Sequence, residues 1–197
     1  MTAKERSLDL ISFIDKSPSP FHAVQEISRR LEQEGFVYLP ETEAFPVVRG
    51  GKYYTKRNGS SIIAFRIPQE PKGGFQILAS HSDSPSFKIK GENPFLEDGN
   101  YTRLNVERYG GMIMAPWLDR PLGIAGRVIV RTEDGVRSEL VDSERNLTMI
   151  PNMPIHLSRK MNESLSYDAQ KDMLPVIGGP DAKEHFFEAL GCSAAKE

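Results

Sequence analysis

The sequence predicts an α/β fold, a mixed-sheet domain over residues 1–90 interrupted by a β-rich module over residues 91–197. Three observations predict it. Two amphipathic helical patterns open the chain, and strand patterns with a hairpin turn follow them. From about residue 90 glycine and proline recur among short β-like runs, and no helical pattern returns until the end.

Residues 6–15 place Leu8, Ile11 and Ile14 at helical spacing, with Leu10 and Phe13 widening the stripe. Ser17-Pro-Ser-Pro20 stops this helix and starts the next, with Ser19 as N-cap and Pro20 at the first helical position, where a missing N–H costs nothing. The second helix runs to about Glu34, turns Phe21, Val24, Ile27 and Leu31 inward, and ends at Gly35. Residues 36–48 read as extended or loop, broken by Pro40 and Pro46. Strands at 52–56 and 61–67 flank Asn58-Gly59, a strong hairpin signal because both residues tolerate positive φ. Residues 75–79 form a third strand, whose nearly continuous apolar character fits a central position covered on both faces. Beyond residue 90 the runs 104–109, 124–131, 136–141 and 147–150 are β-like, with a tight turn at Glu133-Asp-Gly135, and 182–190 reads as a short amphipathic helix. Nothing after the β module returns to complete a doubly covered sheet.

Composition narrows the function classes. The 197 residues are 39% apolar and 26% charged with a formal net charge of −2, an ordinary globular balance that leaves no basic face for nucleic acid. The longest apolar runs fall short of a membrane span, and the start lacks the pattern of a secretory signal, so the cytoplasm is the expected compartment. A single cysteine, Cys192, excludes an internal disulfide framework and a thiolate zinc site built by this chain alone.

The chemistry concentrates at Ala79-Ser-His-Ser-Asp-Ser-Pro85. The end of a buried strand is where open α/β sheets place ligands. His81 and Asp83 stand two residues apart, so in extended chain they point the same way. An imidazole suits zinc, and an acceptor on its other ring nitrogen fixes the tautomer. The plainer alternative has His81 capping a strand end, with Asp83 accepting backbone bonds in the Ser-Pro turn. One histidine and one aspartate do not make a metal site, and no His-Glu-x-x-His occurs. His22 reads as a capping or packing residue, His185 as structural, and Asp119-Arg120 as a turn or structural ion pair. Paired glycines at 73–74, 110–111 and 178–179 lack the lysine of a phosphate loop and read as turns.

Five stretches carry a resemblance: Ser17-Pro-Ser-Pro-Phe-His22, Ala79-Ser-His-Ser-Asp-Ser-Pro85, Val106-Glu-Arg-Tyr-Gly-Gly111, Trp117-Leu-Asp-Arg-Pro-Leu122 with Gly126-Arg-Val128, and Ile150-Pro-Asn-Met-Pro-Ile-His-Leu157. In this order the chain resembles the N-terminal portion of the M18 metallopeptidases, the aspartyl aminopeptidases. The resemblance implies a zinc-exopeptidase-like (phosphorylase/hydrolase-like) fold with an inserted dimerisation module. It implies that His81 is the first ligand of a two-Zn2+ site, that Asp83 orients it, and that His156 reaches into a neighbouring subunit's active site to help bind substrate or stabilise the transition state. Dimers assembling into dodecamers, and peptide substrates with N-terminal Asp or Glu, are likewise implied. The family's other metal ligands and its general-base glutamate lie in its second half, so Asp119 is not assigned as the bridging ligand.

Two further expectations stay beside a zinc-dependent aminopeptidase to which this chain supplies the first half and is inactive alone. One is a non-catalytic truncated subunit or assembly module that pairs with a full-length or complementary chain. The other is a small-molecule binding domain that uses His81 as an ordinary polar contact.

Overall fold

The computed structural model describes residues 1–44, 46–70, 73–157 and 159–192. Positions 45, 158 and 193–197 belong to stretches interpreted above, the extended run 36–48 and the module 91–197, but lie outside the described residues. Internal contacts divide the chain into two units, Met1–Ser84 and Pro85–Glu197.

The first unit opens on α1 (Ala3–Asp15), which starts earlier than the apolar pattern. A capping box explains the early start: the Thr2 hydroxyl accepts the Glu5 N–H, and the Glu5 carboxylate accepts the Thr2 N–H at 2.7 Å. The stripe of α1 is not inward as its spacing implies, because Leu8, Leu10, Ile11 and Ile14 are all exposed. Helix α2 (Pro20–Gln33) has Ser19 as N-cap and Pro20 in its first turn. Its buried residues are Ala23, Val24, Glu26 and Ser28, while Phe21, Ile27 and Leu31 are half-buried. Burial of Glu26 depends on its partners: Arg29 holds the carboxylate through two bonds of 2.7 and 2.6 Å, and Arg30 adds one of 2.8 Å.

Strands β1 (Val37–Tyr38), β2 (Lys52–Arg57) and β3 (Ser61–Arg66) form one sheet in the order β1-β2-β3, with β1 parallel to β2 and β3 antiparallel to it. The β2–β3 turn carries positive φ at Asn58 (53°) and Gly59 (66°), the backbone that twists a hairpin correctly. Its closing bond runs from the Ser60 N–H to the Arg57 carbonyl. Helix α2 packs against β2 and β3. The strand covered on both faces is β2, whose adjacent Tyr53 and Tyr54 point oppositely and are both buried. Tyr54 donates its hydroxyl to Glu32, and Tyr53 accepts the Val48 N–H at 3.0 Å. Burial, reinforced by Glu32, pushes the Tyr54 phenol up to about 12.

The expected third strand does not form. Residues 75–79 are irregular and pair with no strand among the described residues. Phe75, Ile77 and Leu78 are 94%, 85% and 101% exposed. A central strand needs partners for both rows of backbone groups and for both faces. Among the described residues none of the three paired strands of this unit takes that place beside it.

In the second unit β4 (Ser86–Ile89) pairs antiparallel with β7 (Val106–Tyr109). Strand β6 (Tyr101–Leu104) lies between β5 (Phe95–Asp98) and β10 (Val176–Gly178), antiparallel to both. Strands β8 (Ala125–Thr132) and β9 (Gly135–Asp142) form an eight-residue ribbon. Residues 147–150 are not a strand but make isolated bridges, among them Leu118 with Ile150. The terminal helix divides into a 3-10 turn, Pro180–Lys183, and α3 (Phe186–Ala189), where Phe186 and Leu190 supply the buried contacts. Leu104, Val106, Val141, Leu174, Phe186 and Leu190 make one core, with Phe95 edge-on to Phe186 at 5.1 Å. A second joins Leu118, Ile150 and Met173, with Phe87 and Trp117 against it. No helix among the described residues is long and apolar enough to cross a membrane.

Candidate functional site

His81 follows the exposed apolar run, and its side chain is 82% exposed. Its Nδ1 faces two oxygens of Asp83, the backbone carbonyl at 2.9 Å and Oδ1 at 3.1 Å. A carbonyl and a carboxylate only accept, so Nδ1 is the donor. The neutral ring then carries its lone pair on Nε2, the atom a metal or a substrate proton would use. The contact itself spans only two residues.

His156 lies in the second unit, exposed on the loop 151–157. The Leu157 N–H donates to the Pro154 carbonyl at 2.9 Å, closing the turn that holds Ile155 and His156. The structure thus places His81 with Asp83, and carries His156 on a separate unit.

The remaining candidates lie apart from these two histidines in the sequence. The Nδ1 of His22 lies within hydrogen-bond distance of the Ser19 hydroxyl, at 2.7 Å, within the α2 cap. His185 lies 3.7 Å from Glu188 at the start of α3. Burial, with Glu139 adding to it, raises the Cys192 thiol and suppresses its thiolate. Asp119 is a turn residue with φ 55°, and its Oδ1 accepts the Asn152 N–H at 2.9 Å. That bond escaped the sequence reading, because residues 33 positions apart carry no local signature of contact. A polar cleft of about 410 Å³ between α1 and α2 is lined by Asp9, Ser12, Lys16, Arg29, Arg30, Gln33 and Glu34. Its arginines are committed to Asp9 and Glu26.

Among the described residues, no group of three or more His, Cys, Asp or Glu side chains could hold a metal ion. One open imidazole is a single ligand where zinc takes three or four, so the donor set of the described residues does not fit a zinc ion.

Comparison with known proteins identifies the family. The family model for the aminopeptidase I zinc metalloproteases (M18) matches residues 13–189. A probable M18 family aminopeptidase 2 of Clostridium acetobutylicum is 42% identical over 173 residues, which cover 86% of this chain and 40% of that relative. The cryo-EM structure of the Ape4 and Nbr1 complex contains a chain matched at TM-score 0.85 and 40% identity, over 91% of this chain and 35% of that one. The S. cerevisiae mApe1 dodecamer matches at TM-score 0.72 and 25% identity, over 95% of this chain and 45% of that one. This chain therefore spans about two fifths of the length of the curated relatives it matches. It belongs to the M18 family of aminopeptidases.

Proposed function

We propose that this chain is a partial subunit, inactive by itself, an assembly module of an M18 peptidase that pairs with a complementary or full-length chain. The observation that carries this reading is the exposed, unpaired run 75–79 leading directly into His81. Three large apolar side chains in water beside an oriented imidazole are a face built to be covered. Covering it would add strand partners and metal ligands in one event. In that assembly His81 is a zinc ligand through Nε2, and Asp83 holds the ring. His156 acts at the active site of a neighbouring subunit, with residues 91–197 as the dimerisation module. When bound, the zinc pair would polarise the peptide carbonyl and lower the pKa of a water. The substrates are peptides with N-terminal Asp or Glu, the compartment is the cytoplasm, and the assembly is a dodecamer like that of mApe1.

Native mass spectrometry with metal analysis, on the chain purified under non-denaturing conditions, tests this. The expected result is a complex with a second polypeptide, two zinc ions per completed site, and hydrolysis of an aspartyl peptide that His81→Ala abolishes. A lone chain that takes up no stoichiometric zinc when offered the C-terminal part of a relative would overturn it.

A further inference from the structure

We propose that Asp119 is a positioning residue that sets the loop carrying His156; this rests on the role given to His156 above. Asp119 clasps the start of that loop from two sides. Its N–H donates to the Ile150 carbonyl at 2.9 Å, and its Oδ1 accepts the Asn152 N–H at 2.9 Å. Pro151, between them, has no N–H to offer, so the Asp119 carboxylate holds the first amide past the core. Ile150 is fully buried with Leu118 and Met173, which makes that end of the clasp rigid. From Asn152 the order continues outward. Its Oδ1 accepts the Met153 N–H at 2.8 Å, and the Pro154 carbonyl accepts from Leu157 around His156. Hydrogen bonds thus run from the backbone of buried Ile150 out to Met153, and a separate bond closes the turn that presents the imidazole.

The backbone of Asp119 supports the same reading. Its φ of 55° lies in the left-handed region, which aspartate and asparagine tolerate better than other side-chain-bearing residues. Both the acceptor oxygen and the tolerance of positive φ are therefore needed at this position.

The variants Asp119→Asn, Asp119→Gly, His156→Ala and the double Asp119→Gly/His156→Ala separate the possibilities. Asparagine keeps the acceptor and the backbone; glycine keeps only the backbone. In the 197-residue chain, hydrogen exchange at the Asn152 amide should stay within about twofold of wild type for Asp119→Asn and quicken about tenfold for Asp119→Gly. In the assembled peptidase, Asp119→Gly should lower kcat/KM on an aspartyl peptide as His156→Ala does. The double variant should be no slower than His156→Ala, and Asp119→Asn should restore the rate. Unchanged exchange in Asp119→Gly, a wild-type rate for it while His156→Ala is impaired, or losses that multiply in the double variant would each overturn the proposal while leaving His156 its role. A wild-type rate for His156→Ala would remove that role, and the proposal with it.

Discussion

Leu78→Asp should leave the isolated chain as stable as before and disable its assembly. Leu78 is 101% exposed, and its neighbours Phe75 and Ile77 are nearly as bare. A charge there displaces no packed atom, so the unfolding free energy should change by less than about 0.5 kcal/mol. In a complex that covers the run, a buried leucine contributes about 1.5–3 kcal/mol. An unpaired aspartate in its place adds a desolvation cost, bringing the loss to at least ~3 kcal/mol, or about a hundredfold in Kd. Val24→Ala supplies the contrast: Val24 is 1% exposed, and truncating it should cost the isolated chain about 1–2 kcal/mol. Urea denaturation followed by circular dichroism gives the first quantity, and titration calorimetry against the complementary polypeptide gives the second. A loss above about 1.5 kcal/mol in the isolated Leu78→Asp chain would place that side chain in the chain's own core. Unchanged affinity would mean that the run is not the contact.

Three further outcomes are expected. The Arg29 bond, helped by Arg30, holds Glu26 down at about 2 from an ordinary value of 4.5. Between those values the unfolded chain takes up a proton that the folded chain does not, so the contribution of Glu26 is complete above pH 4.5 and lost as pH falls toward 2. Arg29 is half exposed, and screening reduces an upper bound of about 3 kcal/mol to about 1–2; urea midpoints of Glu26→Gln should lack this pH-dependent part, and a pH dependence equal to wild type would refute it. Gly59→Ala should cost about 1 kcal/mol by the same denaturation assay, because φ is 66° and an added Cβ meets only Phe21 at 3.9 Å; no loss would mean the turn is formed differently. In the assembled peptidase Asp83→Asn should weaken zinc binding about tenfold in a chelator competition, since the Asp83 carbonyl still accepts from Nδ1; unchanged affinity would remove the carboxylate from the support of His81.

Much of the first unit was legible because its signals are local. The Ser19-Pro20 helix start, the Asn58-Gly59 turn and the His81–Asp83 contact each involve residues within three positions of one another. Helix α1 shows the limit, for its spacing predicts a stripe correctly but cannot say whether anything lies against it. The run 75–79 fails for the same reason. In the second unit, β4, β5 and β10 escaped notice, being three or four residues long and defined by partners far along the chain.

The first two helices, the hairpin and the pair at His81–Asp83 were readable from sequence, because backbone propensity and short-range bonds act within a few residues. Tertiary structure alone decided that β2 is the doubly covered strand, that Glu26 is buried between arginines, that Asp119 holds Asn152, and that Phe75, Ile77 and Leu78 stand in water. Covering a side chain takes atoms from elsewhere in the chain, and their arrival depends on the whole packing.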